Sequence, residues 1–289
     1  MQRHYDTKAP SEALSLPICE AKRARAQGAS YPLKKFHNTV KRKLLNHFHR
    51  GPALLDVCCG RGGDLLKWKA LCDEEKTGLR QVTAMDFSSN EIDEARRRWA
   101  ASGAGTSVLH VSFIVADAAE RWPTEARSAA FDTVSCMFAL HYFFGSQCAA
   151  TQFFSQVAAA LKPNGVFIGV VPNGTHISDM GTVRQGALSL TNSWRGDAPD
   201  YGGAYTMALD DSVVDGAGSR EFAVVESSLR AAAEAAGLLP ETDDALFPQG
   251  VLKKNTGRVM KPFDPPFLGS VGHTMASTLY AAFAFRKPT

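Results

Sequence analysis

No stretch of this chain approaches the roughly 20 apolar residues that a membrane-spanning helix needs. The N-terminus has no continuous apolar segment of the kind a secretory leader carries. Cysteine is sparse, with six in 289 residues: Cys19, Cys58, Cys59, Cys72, Cys136 and Cys148. None forms a CxxC pair and no Cys/His cluster has zinc-ligand spacing, so neither a disulfide scaffold nor a metal centre is expected. Reduced, mostly buried thiols are the plain expectation, which points to a nuclear or cytoplasmic protein without a membrane partner. Repeats and long low-complexity tracts are also missing. What remains is an ordinary globular balance, 45% hydrophobic and 21% charged, enough for one large domain or two small ones.

Charge is unevenly distributed. The net charge is +3, yet residues 1–50 hold 11 Lys/Arg against 3 Asp/Glu, a balance of +8 that leaves −5 for the rest. A basic leading segment suits a polyanionic partner, although a solvated basic tail would read the same way. Residues 1–32 lack clear periodicity and are expected to form an arm. Leu33, Phe36, Val40, Leu44, Leu45 and Phe48 then recur at helical spacing.

From there strands and helices alternate. The expected strands are residues 53–57, 81–85, 111–116, 131–137 and 166–171, with a last one at 279–285. The expected helices are 64–71, one capped by Ser88 or Ser89 and running to about Ala100, and 149–161. This order predicts a parallel, doubly wound α/β sheet. Residues 178–220 are polar and Gly-rich, and are expected as an insertion after strand five that covers the sheet's carboxyl edge. Residues 221–236 are expected as a further helix ended by Gly237, and the stretch around Asp264-Pro265-Pro266 as a surface loop.

Ligands of open α/β sheets bind beyond the carboxyl ends of the strands. Three features fall there. A glycine turn, Cys59-Gly60-Arg61-Gly62-Gly63-Asp64, follows strand one and lets the backbone approach a ligand at a helix N-terminus. Asp86 closes strand two, where a carboxylate can accept both ribose hydroxyls of an adenosine. Asp117 closes strand three, where it can accept from an adenine amino group. The turn is not G-x-G-x-x-G, and no Walker Lys-Ser pair follows it. Each aspartate alone could be a cap or turn residue. Together the three features describe a nucleoside site.

Several motifs carry a more specific resemblance. Leu54 to Trp68 (LLDVCCGRGGDLLKW) resembles the cofactor loop of eukaryotic and viral mRNA cap guanine-N7 methyltransferases. Residues 33–41 (LKKFHNTVK), 135–142 (SCMFALHY), Val171-Pro172-Asn173, residues 221–224 (EFAV) and residues 280–287 resemble further segments of that family, as does His4-Tyr5-Asp6 near the start. The likeness spans nearly the whole chain and implies a single cap methyltransferase domain, 1–289, with the class I S-adenosylmethionine-dependent methyltransferase fold, an α/β doubly wound sheet that is mostly parallel with an antiparallel C-terminal strand. It implies that Lys41, Asp56, Cys58, Gly60, Asp64, Asp86, Asp117, Met137 and Tyr142 line the cofactor site. It implies that His37, Asn38, Arg61, Lys67, Arg98, His141, Pro172, Tyr205, Glu221 and Tyr280 meet the cap. Arg61, Lys67 and Arg98 would take the triphosphate, and Pro172 and Tyr205 would wall the guanine pocket. Three positions depart from the family: Cys58 replaces a glycine, Met137 a glutamine and His37 an asparagine.

The chemistry so implied needs no metal and no general base, since guanine N7 carries a free lone pair. His141, Tyr142 and Glu221 would act by positioning and electrostatics, with Glu221 accepting the guanine N1–H and N2–H. Capped RNA is the implied substrate. An RNA triphosphatase, a guanylyltransferase or an activating subunit is an implied partner. Plainer roles exist for single residues: Lys67 as a surface lysine, Arg98 as part of a solvated face, His141 as a satisfied core histidine, Tyr280 as strand packing, Glu221 as an acidic first-turn residue. Two whole-chain alternatives share the fold: a small-molecule methyltransferase, and an inactive cap-binding or regulatory subunit.

Overall fold

The computed structural model describes residues 27–102, 108–209 and 218–289. Most of the arm expected at residues 1–32 therefore lies outside the described residues. Helix α1 (Tyr31–Phe48) opens the fold with Pro32 in its first turn, and buries Leu33, Val40, Leu44, Leu45 and Phe48 along one stripe. It leads directly into β1 (Ala53–Val57), every residue of which is buried.

The main sheet then assembles from β2 (Gln81–Asp86), β3 (His110–Val115), β4 (Phe131–Met137), β5 (Leu161–Pro172) and, at the end of the chain, β12 (Tyr280–Arg286). The order is β3-β2-β1-β4-β5-β12, with the short β10 (Leu239–Pro240) beyond β12 and β11 (Lys261–Pro262) also paired to β12. The first five strands are parallel; β12 returns antiparallel to β5, with Tyr280 opposite Pro172 and Arg286 opposite Val166. Helices α2 (Leu65–Asp73), α3 (Ser89–Ala101), α4 (Gln147–Ala160) and α6 (Glu226–Ala235) complete the main frame.

Both faces of the sheet are covered, which is why its strands read as continuous apolar runs. The alternation inside each run still decides the side. Leu55 and Val57 join Phe153, Phe154 and Phe283 in one core, while Leu54 joins Leu44, Trp68 and Val82 in the other. Gly169 sits where β4, β5 and β12 come closest: a Cβ there would collide with the Cys136 carbonyl and the Phe283 ring.

Two expectations need correction. Strand β5 begins at Leu161, because the Pro163-Asn164-Gly165 turn is absorbed as an irregularity: the register shifts between Phe131 and Thr133, and Asn164 takes φ +64°. More consequentially, Glu221 is not in a helix. The described residues of the insertion expected at 178–220 are built largely of strands: after α5 (Gly174–Met180) come β6 (Val183–Gln185), β7 (Leu188–Asn192), β8 (Ala204–Leu209) and β9 (Ser219–Phe222), a second, antiparallel sheet. Glu221 lies in β9, opposite Tyr205 of β8. The burial of Ser219 and Glu221 around an exposed Arg220 is strand alternation, and the hydrogen bonds to β8 override the helical pattern of the residues that follow. Helix α6 starts five residues later. It ends as expected, with Gly237 at φ +78° and the Leu238 N–H reaching back to the Ala233 carbonyl. Helix α7 (Val271–Thr278) packs on the small sheet through Gly272, where any side chain would strike the Gln185 carbonyl.

Candidate active site

The order reverses at β1, flanked by β2 and β4, the place where open α/β sheets take ligands beyond their carboxyl ends. The turn after β1 lies there. Gly60 and Gly62 have φ +51° and +74°, and Cys58 is held at +61°, a region where a side chain costs about 1–2 kcal/mol. The Gly60 N–H donates to Asp86 Oδ2 at 2.8 Å and the Ser88 N–H to Oδ1 at 3.0 Å, so the end of β2 braces the turn. Each carboxylate oxygen keeps a further acceptor direction. Burial nonetheless raises the Asp86 pKa, against those two N–H bonds. The Cys58 thiol is pushed up by its hydrogen bond to Cys136 and by burial, so it stays protonated.

Beside the turn lies a buried charge cluster. Asp64 pairs with Lys41 at 2.7 Å and with Lys67 at 2.8 Å. Burial opposes its ionisation, but the two ammonium groups hold its pKa at about 2. Lys67 also donates to Asn38 Oδ1 at 2.6 Å and to the Gly63 carbonyl at 3.0 Å. It is only 5% exposed, and burial lowers its pKa despite Asp64. It is therefore no surface lysine, and its donors already serve protein acceptors. Asp56 accepts from the Ser135 hydroxyl at 2.5 Å; burial and the charge of Asp64 raise it to about 7.

A second pocket wall is aromatic and acidic. His37, Phe138, Phe263 and Tyr280 meet edge and face, with His37 4.9 Å from Phe138 and 5.3 Å from Tyr280 between ring centroids. Phe138 is aimed by a left-handed backbone, φ +63°. Tyr205 donates to Glu221 Oε2 at 2.5 Å, and His141 Nε2 stands 3.5 Å from the same oxygen. Tyr142 packs at a tilt against His141, 4.2 Å between centroids, and its hydroxyl is 3.2 Å from Ser219 Oγ on β9. Burial shifts both histidines, Glu221, Tyr205 and Tyr280 toward their neutral forms. His37 and His141 fall to about 3, Glu221 rises to about 7, and Tyr205 and Tyr280 rise above their ordinary value. Neither ring nitrogen of His141 has a hydrogen-bond partner among the described residues, nor does His37 Nε2. His141 is thus an unsatisfied buried histidine. Unpaired buried donors and acceptors are costly, and a polar ligand beside His37 and His141 would satisfy them.

The remaining expected residues are spread around this centre. Arg61 forms a two-bonded ion pair with Glu91 (Nε to Oε2, 2.9 Å), and Arg98 pairs with Glu94 at 2.6 Å while donating to the Arg61 carbonyl at 3.2 Å. Arg98 is thus tied to the glycine turn rather than merely solvated. Met137 closes β4 and Pro172 closes β5, where it pairs with Tyr280. Asp117 is exposed and its carboxylate accepts from the Ala119 N–H at 2.9 Å, a turn contact. Sequence reasoning missed Phe138, Phe263, Ser219, Glu91 and Ser135. Glu91 could have been sought as a charge partner for Arg61. Phe263, in an irregular Pro-rich stretch, carries no local signal.

The sheet order, the antiparallel last strand and the glycine turn braced by a β2 aspartate define the class: this is the fold of S-adenosylmethionine-dependent methyltransferases. Solved structures agree at the level of fold. A methyltransferase of that kind from Clostridium acetobutylicum aligns at TM-score 0.51 with 17% identity, covering 94% of this chain and all of that one. The CcbJ methyltransferase from Streptomyces caelestis aligns at 0.52 with 16% identity, covering 96% and 95%. The chain belongs to the mRNA (guanine-N(7))-methyltransferase domain family, whose model matches residues 15–288. It is similar to the mRNA cap guanine-N(7) methyltransferase of Caenorhabditis elegans, 28% identical over 65% of this chain and 54% of that protein. It is also similar to enzyme 1 of that name from rice, 36% identical over 50% and 40%, and to that of Schizosaccharomyces pombe, 30% identical over 70% and 58%. The chain spans about half the length of the curated relatives it matches.

Proposed function

We propose that this protein transfers the methyl group of S-adenosylmethionine to N7 of the guanosine cap of RNA. The observation that carries the reading is a buried carboxylate, Glu221, facing a buried histidine with both ring nitrogens unpartnered, beside an adenosine-type cofactor turn. A guanine edge, with N1–H and N2–H as donors and O6 as acceptor, matches that set.

The residues present fit the cofactor. Asp86 has free acceptor directions for ribose hydroxyls, and Gly60 and Gly62 hold a turn that few side chains tolerate. Lys41, Asp56, Asp64, Asp117, Met137 and Tyr142 complete the proposed lining. Bound there, the sulfonium supplies the methyl group. Glu221 accepts from the guanine edge and fixes the ring. As positive charge develops on the base, the same carboxylate stabilises it, which is electrostatic preorganisation rather than proton transfer. His37 and His141, held neutral by burial, add hydrogen bonds without repelling that charge. His141 and Tyr142 hold the base in line, a contribution of proximity and orientation. Arg61 and Arg98 reach the triphosphate, and Lys67 sets the loop beneath it.

We take residues 1–289 as one cap methyltransferase domain, with residues 178–220 forming the substrate side. A nuclear or cytoplasmic site of action follows from that chemistry, as does work alongside an RNA triphosphatase, a guanylyltransferase or an activating subunit. Incubation with labelled S-adenosylmethionine and GpppA-capped RNA, followed by digestion, tests the reading. The expected product is 7-methylguanosine; label elsewhere on the RNA, or none, would refute it.

A further inference from the structure

Strands β8 and β9 run antiparallel with Tyr205 directly opposite Glu221, an arrangement that puts both side chains on one face of the small sheet. Tyr205 is 2% exposed and Glu221 5%, and the phenol donates to Oε2 at 2.5 Å. His141 Nε2 faces the same oxygen at 3.5 Å. Oε2 is therefore engaged within the protein, while Oε1 makes no hydrogen bond among the described residues. So buried a tyrosine has little ring face left for a base to stack on.

We propose that Tyr205 is a positioning residue for Glu221: its phenol holds one carboxylate oxygen and keeps the other turned to the guanine edge. The proposal rests on the cap reading above. The groups facing the carboxylate are Tyr205 from β8, Tyr280 from β12, and His141 from the 3-10 turn Leu140–Gly145. None is cationic, since burial keeps the histidine neutral and both phenols protonated. Burial raises Glu221, and the Tyr205 hydrogen bond is what opposes that rise. Without the phenol the carboxyl group would lose its fixed orientation and hold its proton to higher pH. A protonated carboxyl presents one donor and one good acceptor to a base edge that offers two donors, so it binds poorly.

The test compares kcat/KM for GpppA-capped RNA between wild type and Tyr205→Phe from about pH 6 to about pH 9. In Tyr205→Phe the acid limb should move up by about one pH unit, with a loss of about tenfold at the acid end that shrinks at the alkaline end to the smaller loss due to orientation alone. Calorimetric affinity for S-adenosylmethionine should be unchanged. A loss uniform across pH, or a superimposable profile, overturns the proposal. Should Tyr205→Phe fail to fold, 3-fluorotyrosine at position 205 provides a near-isosteric variant. Its stronger donor should move the limb down, and a limb that stays or moves up overturns the proposal. Infrared titration of the Glu221 carboxyl stretch, with Glu221→Gln as the blank, reads protonation without turnover. If the stretch moves as expected but wild type makes no 7-methylguanosine, the positioning stands and the cap reading falls. If it moves in neither variant, the positioning is overturned.

Discussion

Glu221 combines the proposed recognition of guanine with near-complete burial, and the two have opposite consequences for the free protein. Its pKa rises from 4.5 to about 7 on folding. A carboxyl that binds its proton more tightly when folded contributes stability present in full below pH 4.5 and lost as pH rises through about 7. Glu221→Gln carries no such penalty. It should melt higher than wild type, with a gap that widens between about pH 5 and about pH 8; a gap that stays constant by calorimetry would show that Glu221 ionises as freely as in the unfolded chain, and one that narrows that folding favours its charged form. The same variant should bind S-adenosylmethionine normally. It should methylate GpppA-capped RNA at least about tenfold more slowly, about 1.4 kcal/mol in the barrier, because glutamine puts its NH₂ against a donor. Wild-type turnover would remove the main reason for preferring a guanine cap as the substrate.

Among the elements, the β1 turn and the end of β2 act as one unit. Asp86→Ala removes two braces, leaving the Gly60 and Ser88 N–H groups without their acceptors, and removes the proposed ribose contacts. Hydrogen bonds to a charged group are worth roughly 1.5–3 kcal/mol, so cofactor affinity should fall by tenfold or more, as read by calorimetry. Cys58 sits in the same turn at φ +61°. The left-handed conformation costs a side chain about 1–2 kcal/mol, and glycine's extra unfolded-state entropy returns about 0.5–1 kcal/mol of that. Cys58→Gly should therefore melt at or slightly above wild type, whereas Cys58→Val, β-branched, should melt well below it. A Cys58→Gly protein several degrees less stable would mean that thiol packing against Cys136 outweighs the backbone strain. The turn was legible in the chain because glycines after a buried strand have few other uses. The Glu221 strand was not: Glu-Phe-Ala-Val-Val followed by a helical pattern reads locally as helix, and pairing with β8, 16 residues away, decides otherwise.

In the molecule as a whole, the proposed phosphate path runs along cations that already have partners. Arg61 is paired with Glu91 and Arg98 with Glu94, each half-buried, so incoming phosphates must exchange with carboxylates. Arg61→Ala and Arg98→Ala should raise KM for capped RNA at low salt and matter less as salt rises, because screening weakens what they contribute. Both should have a smaller effect on an uncapped guanosine nucleoside. Unchanged KM values at low salt would place the triphosphate elsewhere.

Hydrophobic periodicity and strand-end chemistry are local properties, and they sufficed for the parallel frame: β1 and β4 run over residues 53–57 and 131–137 as expected, and the Gly60 turn meets Asp86 at the carboxyl ends of β1 and β2. Family motifs supplied the residues of the proposed pocket. Their states depended on packing between distant segments. Lys67 became a buried, fully coordinated ammonium because α1 brings Asn38 to it, and His141 became an unsatisfied histidine because it is buried with Glu221, carried in on β9, no closer than 3.5 Å. Phe263 reached the aromatic wall only through the fold of the C-terminal loop. Charge state and hydrogen-bond partner are set by burial and by neighbours far away in the chain, so the tertiary structure alone could assign them.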